Sequence, residues 1–84
     1  MAEVEAIKFS ATWCGPCRVV AKQLEGLDFT NIDIDEDQEG LAKKSNVRSV
    51  PTIIFMKDGE EVGRHSGLIT REEYITKIEI FKNQ

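Results

Sequence analysis

Two cysteines three residues apart, Cys14 and Cys17, stand where the spacing of apolar residues changes from strand-like to helix-like. Upstream, Glu3 to Phe9 reads as a short strand, with Val4, Ile7 and Phe9 supplying apolar surface. Downstream, Gly15 to Glu25 reads as a helix: Val20, Leu24 and Leu27 recur at steps of four and three, Pro16 suits the first turn, and Gly26 suits the exit. A second strand follows through Phe29, Ile32 and Ile34. A strand, a crossover helix and a parallel strand in so short a stretch form a right-handed unit. The cysteines then lie just past the carboxyl end of its first strand, where sites collect in open α/β sheets.

The remainder fills in a mixed sheet. Glu39 to Ser45 reads as a short helix weakened by Gly40, and Thr52 to Met56 as the strongest strand of the chain. Asp58-Gly59 is a two-residue hairpin signal that returns Glu61 to His65 antiparallel. Thr70 and Glu73 have the spacing of a capping box, opening a helix whose Tyr74, Ile75, Ile78 and Phe81 form one apolar stripe read as core. The order β-α-β-α-β-β-α predicts an α/β sandwich with a four-stranded mixed sheet flanked by helices. No internal repeat or linker interrupts it.

With 84 residues the chain fits one domain, residues 1–84. A domain of this size buries about 60–65% of its unfolded surface, so its stability margin is modest. The apolar share of 40% suits a globular fold, and the net charge of −4 speaks against nonspecific binding to nucleic acid or anionic membranes. Met1 to Ser10 alternates charged with apolar residues, which fits neither a signal peptide nor a membrane span. The expected location is therefore a reducing cytoplasm. There a Cys-x-x-Cys pair is more often catalytic or metal-binding than a permanent staple.

Of the chemistries open to such a pair, thiol–disulfide exchange fits best. The attacking species is a thiolate, and a free cysteine ionises only near pH 8.5. A helix N-terminus stabilises the anion with unpaired N–H groups and the positive end of its dipole. Cys14 lies at that position, and Cys17 lies one turn inward on the same face. Cys14, at the exposed end, is expected to attack the substrate disulfide; Cys17, more covered, is expected to resolve the mixed disulfide. Gly15 lets a partner backbone approach, and Pro16 stiffens the helix start. Structural zinc requires four ligands, and only His65 remains as a further soft one. Haem attachment requires histidine after the second cysteine, where Arg18 stands. A disulfide closing so short a loop removes little chain entropy, which disfavours a purely structural role. Asp33, Asp35, Glu36, Asp37 and Glu39 lack the spacing and loop glycine of a calcium site and read as a solvated turn. His65, in the return strand, reads as a surface residue.

Ser10-Ala11-Thr12-Trp13-Cys14-Gly15-Pro16-Cys17-Arg18 resembles the thioredoxin active-site segment almost position for position. The likeness continues through Phe29 to Asp35, through Val47-Arg48-Ser49-Val50-Pro51-Thr52, and through Lys57-Asp58-Gly59-Glu60 to Gly67. It implies a thioredoxin-like fold, a cis Pro51 facing the cysteines, and a substrate groove shaped by Trp13, Gly15, Pro16, Val50, Pro51 and Gly67. Val50 would pair its N–H and C=O with an extended peptide. On residue type alone, Pro51 could start a strand in trans, Trp13 could pack in the core and Gly67 could serve a turn. The resemblance further implies an enzyme that reduces disulfide-containing protein substrates. It would need no bound cofactor or metal, would draw reducing equivalents from a thioredoxin reductase, and would work as a monomer. Gly-Pro between the cysteines is similar to reductants, where glutaredoxins carry Pro-Tyr and isomerases Gly-His. Two rivals remain: a glutathione-coupled, glutaredoxin-like reductant and a non-catalytic binding subunit of the same fold.

Two departures stand out. The familiar fold begins with a further strand and helix, so one sheet edge and part of one face should be less covered here. Six residues before Cys14, where the family usually places a buried aspartate linked to proton transfer, this chain has Lys8, and Asn31 replaces a lysine often found on the neighbouring strand. An ammonium near Cys17 would favour thiolate and make the dithiol a weaker reductant. The other reading lets Lys8 snorkel into solvent through the thinner cover.

Overall fold

The computed structural model describes residues 3–84; Met1 and Ala2, which the expected domain and N-terminal readings include, lie outside the described residues. The chain runs β1 (Val4–Ser10), α1 (Gly15–Gln23), β2 (Thr30–Asp33), a 3-10 turn (Ile34–Glu36), α2 (Leu41–Lys44), β3 (Thr52–Lys57), β4 (Glu60–Ser66) and α3 (Arg71–Lys82). The sheet order is β2-β1-β3-β4, with β1 parallel to β2 and the other pairs antiparallel. The expected β-α-β-α-β-β-α order and mixed four-stranded sheet are therefore what the chain adopts. β2 is an edge strand whose Thr30 and Asn31 are exposed.

Local chemistry explains most boundaries. Asp58 and Gly59 both take positive φ, 55° and 80°, the geometry a two-residue hairpin demands. The capping box forms in full: the Thr70 hydroxyl accepts from the Glu73 N–H, and the Glu73 carboxylate accepts from the Thr70 N–H. At its other end α3 is capped from a distance, because Lys57 Nζ donates to the carbonyls of Phe81, Lys82 and Gln84 at 3.1, 3.3 and 2.7 Å.

Three expectations need correction. The helix expected to Glu25 stops at Gln23, and the chain turns through Gly26 at φ 78°. Phe29 precedes the second strand and Ile34 follows it; the Asp33 carboxylate accepts from the Asp35 N–H and winds Ile34 into the 3-10 turn. Ile75 is not core: it is 43% exposed, because Tyr74, Ile78 and Phe81 take the inward stripe and the next position lies about a third of a turn away.

The main core lies between the sheet and the pair α1 and α3. Ala6, Ile53 and Phe55 from the strands meet Val20 of α1, Leu24 at its C-cap, and Ile69 and Tyr74 near α3. Phe81 packs against Phe55 with ring centroids 5.1 Å apart and lies over Gly63, the residue paired with Phe55 on β4. A Cβ on Gly63 would fall 2.9 Å from Phe81 Cε1 and closer still to Cζ. Polar ties complete the clamp. Arg71 Nη1 donates to the Glu25 carbonyl at 2.7 Å, the Arg71 N–H donates to the Gln23 side chain at 2.9 Å, and Tyr74 OH donates to the Asp28 carbonyl at 2.8 Å. With its carboxyl end pinned in this way, α1 presents its amino end, and Cys14, at a fixed place.

Candidate active site

Cys14 is the N-cap of α1, with extended backbone (φ −92°, ψ 112°), reached through a turn in which its N–H donates to the Ala11 carbonyl at 3.2 Å. Pro16 occupies the first helical turn, where a missing N–H costs nothing. Cys17 follows one turn on, its Cα 5.2 Å from that of Cys14, and the two sulfurs form a disulfide. The Cys17 N–H points at Cys14 Sγ at 3.1 Å. Toward a disulfide sulfur this is a weak contact; toward a thiolate it becomes a charge-assisted hydrogen bond. The arrangement therefore favours the anion at Cys14 once the disulfide opens.

The expected contrast in exposure is not found. Cys14 is 5% exposed and Cys17 4%. Both pack with Ala11, Ile34 and Val50, and two of these come from segments distant in sequence. The asymmetry between the sulfurs lies instead in what each one faces.

Cys14 faces the loop before β3. The Val50 carbonyl oxygen is 3.7 Å from its Sγ, a van der Waals contact in the disulfide and a possible acceptor for the thiol. The Val50–Pro51 peptide is cis. The loop is held from both sides: Thr52 Oγ1 donates to the Ser49 carbonyl at 2.7 Å and lies 3.1 Å from Ser66 Oγ, and the Gly67 N–H donates to the Pro51 carbonyl at 2.9 Å. Gly67, at φ 93°, adopts a conformation that other residues avoid. Gly15, Pro16 and Trp13, next to Cys14 in the chain, are exposed, and Trp13, at 65%, is no core residue. Its Nε1 donates to Asp35 Oδ2 at 2.8 Å.

Cys17 faces a different space. It lines an open cleft of about 470 Å³ together with Lys8 and Ser10 of β1, Arg18 and Ala21 of α1, and Phe29, Asn31 and Asp33 at β2. The stem of Lys8 is buried, leaving the residue 4% exposed, and its Nζ reaches the open cleft 4.8 Å from the centre of the Phe29 ring. Desolvation holds its ammonium below the ordinary value of 10.5.

Several contributing residues escaped the sequence reading. Asp35, read as part of a solvated turn, anchors Trp13; Asp37, from the same run, caps α2 by accepting from the N–H groups of Leu41 and Ala42 at 2.9 and 2.8 Å. These amides hold the Asp37 carboxyl below its usual range, that of Ala42 most strongly. The Asp-x-Asp spacing at 33 and 35 was the available signal, since such residues turn the backbone locally. Among the described residues no group of three or more His, Cys, Asp or Glu is arranged to hold a metal ion, and His65 Nε2 instead lies 2.7 Å from the Leu68 carbonyl. No helix among them is long and apolar enough to cross a membrane.

Comparison with known proteins agrees with this geometry. The family model described as thioredoxin matches residues 2–80. A thioredoxin from Bacillus subtilis is 43% identical over 72 residues, covering 76% of this chain and 68% of that protein. An H-type thioredoxin from Oryza sativa subsp. indica is 42% identical over 72 residues, and the match spans 77% of this chain and 58% of the rice protein. A solved thioredoxin variant from Halobacterium salinarum superposes with a TM-score of 0.84 at 34% identity, covering 94% of this chain and 74% of its own. The disulfide at the mouth of α1 thus sits in a sequence and a fold that agree on one assignment: this chain belongs to the thioredoxin family of thiol–disulfide oxidoreductases.

Proposed function

We propose that the chain, acting as one monomeric domain of residues 1–84, reduces disulfides in protein substrates of the cytoplasm, with reducing equivalents supplied by a thioredoxin reductase and no bound cofactor. The observation that carries this reading is the placement of Cys14 Sγ between the Cys17 N–H and the Val50 carbonyl. One neighbour stabilises the anion, and the other belongs to a backbone segment against which an extended peptide can lie.

In the reduced protein the Cys14 thiolate attacks one sulfur of the substrate disulfide. A Cys14–substrate bond forms, and one substrate thiolate leaves and takes a proton from solvent. The Cys17 thiolate then attacks Cys14 Sγ; the mixed disulfide breaks, the Cys14–Cys17 disulfide forms, and the second substrate thiolate departs. Two electrons have passed to the substrate, and the reductase returns two electrons and two protons. Trp13, Gly15, Pro16, Val50, Pro51 and Gly67 form the surface on which the substrate peptide is held.

The test is insulin reduction, run once with thioredoxin reductase and NADPH and once with glutathione. Turnover with the reductase is expected; turnover with glutathione alone would replace the proposed donor. Cys14→Ser should abolish turnover, and Cys17→Ser should stall as a mixed disulfide through Cys14. Retained turnover in Cys14→Ser would overturn the reading.

A further inference from the structure

Lys8 is the charged residue that the described part of the fold buries, and the steps proposed above make no use of it. A buried cation is costly unless it is paired. No carboxylate among the described residues lies within ion-pair distance of its Nζ, and the ring of Phe29 is a weak substitute. The ammonium opens instead on the cleft of about 470 Å³. That volume falls within the range of about 300–1,000 Å³ found for small-ligand sites.

The strand register gathers donors around it. Lys8 pairs with Asn31 and Ser10 with Asp33 across the parallel β1–β2 ladder, so these four side chains share one face of the sheet. Ser10 Oγ donates to Asn31 Oδ1 at 3.0 Å, which leaves the Asn31 NH2 group, without a partner among the described residues, for another acceptor. Arg18, across the cleft on α1, donates from Nη2 to the Thr12 carbonyl at 3.1 Å and keeps its other donors at an exposed position. One carboxylate stands against these cations. Asp33 lies two residues, about 6–7 Å, along β2 from Asn31 and accepts the Asp35 N–H at 2.9 Å. With the cysteines joined, the ionisable lining is two cations against one anion, a net positive charge in a chain of net charge −4. Phe29, Ala11 and Ala21 supply an apolar wall.

We propose that this cleft is a binding site for a carboxylate, held by the Lys8 ammonium and the Asn31 amide with Arg18 at the mouth, and presented by a small organic acid or by an acidic side chain of another protein. One carboxylate supplies the counter-ion that Lys8 lacks. Its two oxygens match two donors projecting from paired positions of neighbouring strands. The apolar wall takes the carbon that bears it. Asp33 repels a doubly charged ligand such as phosphate more strongly than a singly charged one. Burial holds the Lys8 ammonium below its ordinary value of 10.5, and a bound carboxylate acts in the opposite direction. The site is complete in the disulfide form and needs no turnover, so it stands independently of the proposed reductase activity.

The test is NMR titration of the full oxidised chain near neutral pH, with sodium acetate exchanged against sodium chloride at constant ionic strength. The Lys8 ε-methylene and Asn31 side-chain amide signals should move together on one saturable curve, with a Kd on the order of 10 mM. Saturating acetate should raise the Lys8 titration midpoint. Lys8→Met, read at Asn31, should weaken binding about tenfold or more; Asn31→Ala, at an exposed edge position and read at Lys8, about threefold. N-acetylglutamic acid α-amide, whose one carboxylate is on the side chain, separates the sources. Binding as tight as that of acetate supports the site with a protein side chain as occupant, and binding of acetate alone supports it with a free acid. A response that does not saturate, an unmoved Lys8 midpoint, or undiminished binding by Lys8→Met would overturn the proposal. Tighter binding of inorganic phosphate than of acetate would overturn the choice of carboxylate.

Discussion

On the side of Cys14 the chain closes the polar groups around the sulfur: Gly67 and Thr52 tie the Pro51 loop to its neighbours, and Asp35 holds the indole of Trp13. On the side of Cys17, one helical turn away, it leaves an open cleft containing a lysine with no ion-pair partner among the described residues. Burial does not distinguish the sulfurs, since they are covered to almost the same extent. The difference teaches that, with Cys14 attacking and Cys17 resolving as proposed above, neighbours and not depth would set the division of labour. One sulfur faces a backbone segment held on both sides, the other an open cleft lined by Lys8, Asn31 and Asp33.

A substitution that touches neither side calibrates the comparison, and it should have the largest effect on stability. Gly63→Ala drives a methyl group into the Phe81 ring. Overpacking of this kind costs about 1–3 kcal/mol, and each kcal/mol lowers the melting midpoint by about 4–8 °C in a domain of this size. The rates of Cys14 alkylation and mixed-disulfide resolution, measured well below the melting midpoint, should stay in the wild-type ratio. A changed ratio would mean that the two surroundings are not independent of the scaffold. Thr52→Val acts on the Cys14 side alone. It keeps the shape but removes the hydroxyl that donates to Ser49, for a loss of about 1 kcal/mol in chemical denaturation. It should slow attack on the substrate and leave resolution unchanged.

Lys8→Met acts on the other side and with the opposite sign. Removing an unpaired buried cation should stabilise the disulfide form by on the order of 1 kcal/mol, a figure reduced by the solvent that reaches the amine through the cleft. The pH dependence follows from the lowered value of the ammonium. Between that value and 10.5 the unfolded chain binds more protons than the folded one, so wild-type stability rises with pH across this window. Below the window the full cost of Lys8 persists. The advantage of Lys8→Met in denaturation midpoints should accordingly be largest near neutrality and vanish as the pH climbs past 10.5. An advantage that is constant with pH would mean that shape, not charge, separates the two proteins.

Much of this was legible in residue order because the responsible chemistry is local. The hairpin at Asp58-Gly59, the capping box at Thr70 and the cysteines at a helix mouth each depend on neighbours within four positions. The rest depends on contacts between distant segments. Cys14 looked exposed because nothing near it in the chain announces that Val50 and Ile34 cover it. Gly63 falls unmarked inside the return strand because the ring it seats lies in the last helix. Lys8 could be flagged as a departure, yet whether it turned outward or inward was settled by a space bounded by α1 and β2 together.

Asp35 shows the same limit on a smaller scale, and its removal is the finest probe of the Cys14 side. The bond from the Trp13 indole spans 22 residues and links the loop before α1 to the 3-10 turn after β2. Both groups are exposed, so in Asp35→Ala water replaces the carboxylate and little stability is lost. What changes is the freedom of the indole, which must be held in one place again when a substrate arrives. Trp13 is the only tryptophan of the chain, so its fluorescence anisotropy reports that freedom directly and should fall in the variant. The KM for a protein disulfide should rise about twofold, the equivalent of about 0.4 kcal/mol, while kcat, limited by sulfur chemistry, stays in place. A lower kcat with unchanged anisotropy would show instead that Asp35 acts through its charge on the nearby sulfur, and that the Cys14 side is not the neutral surface described above.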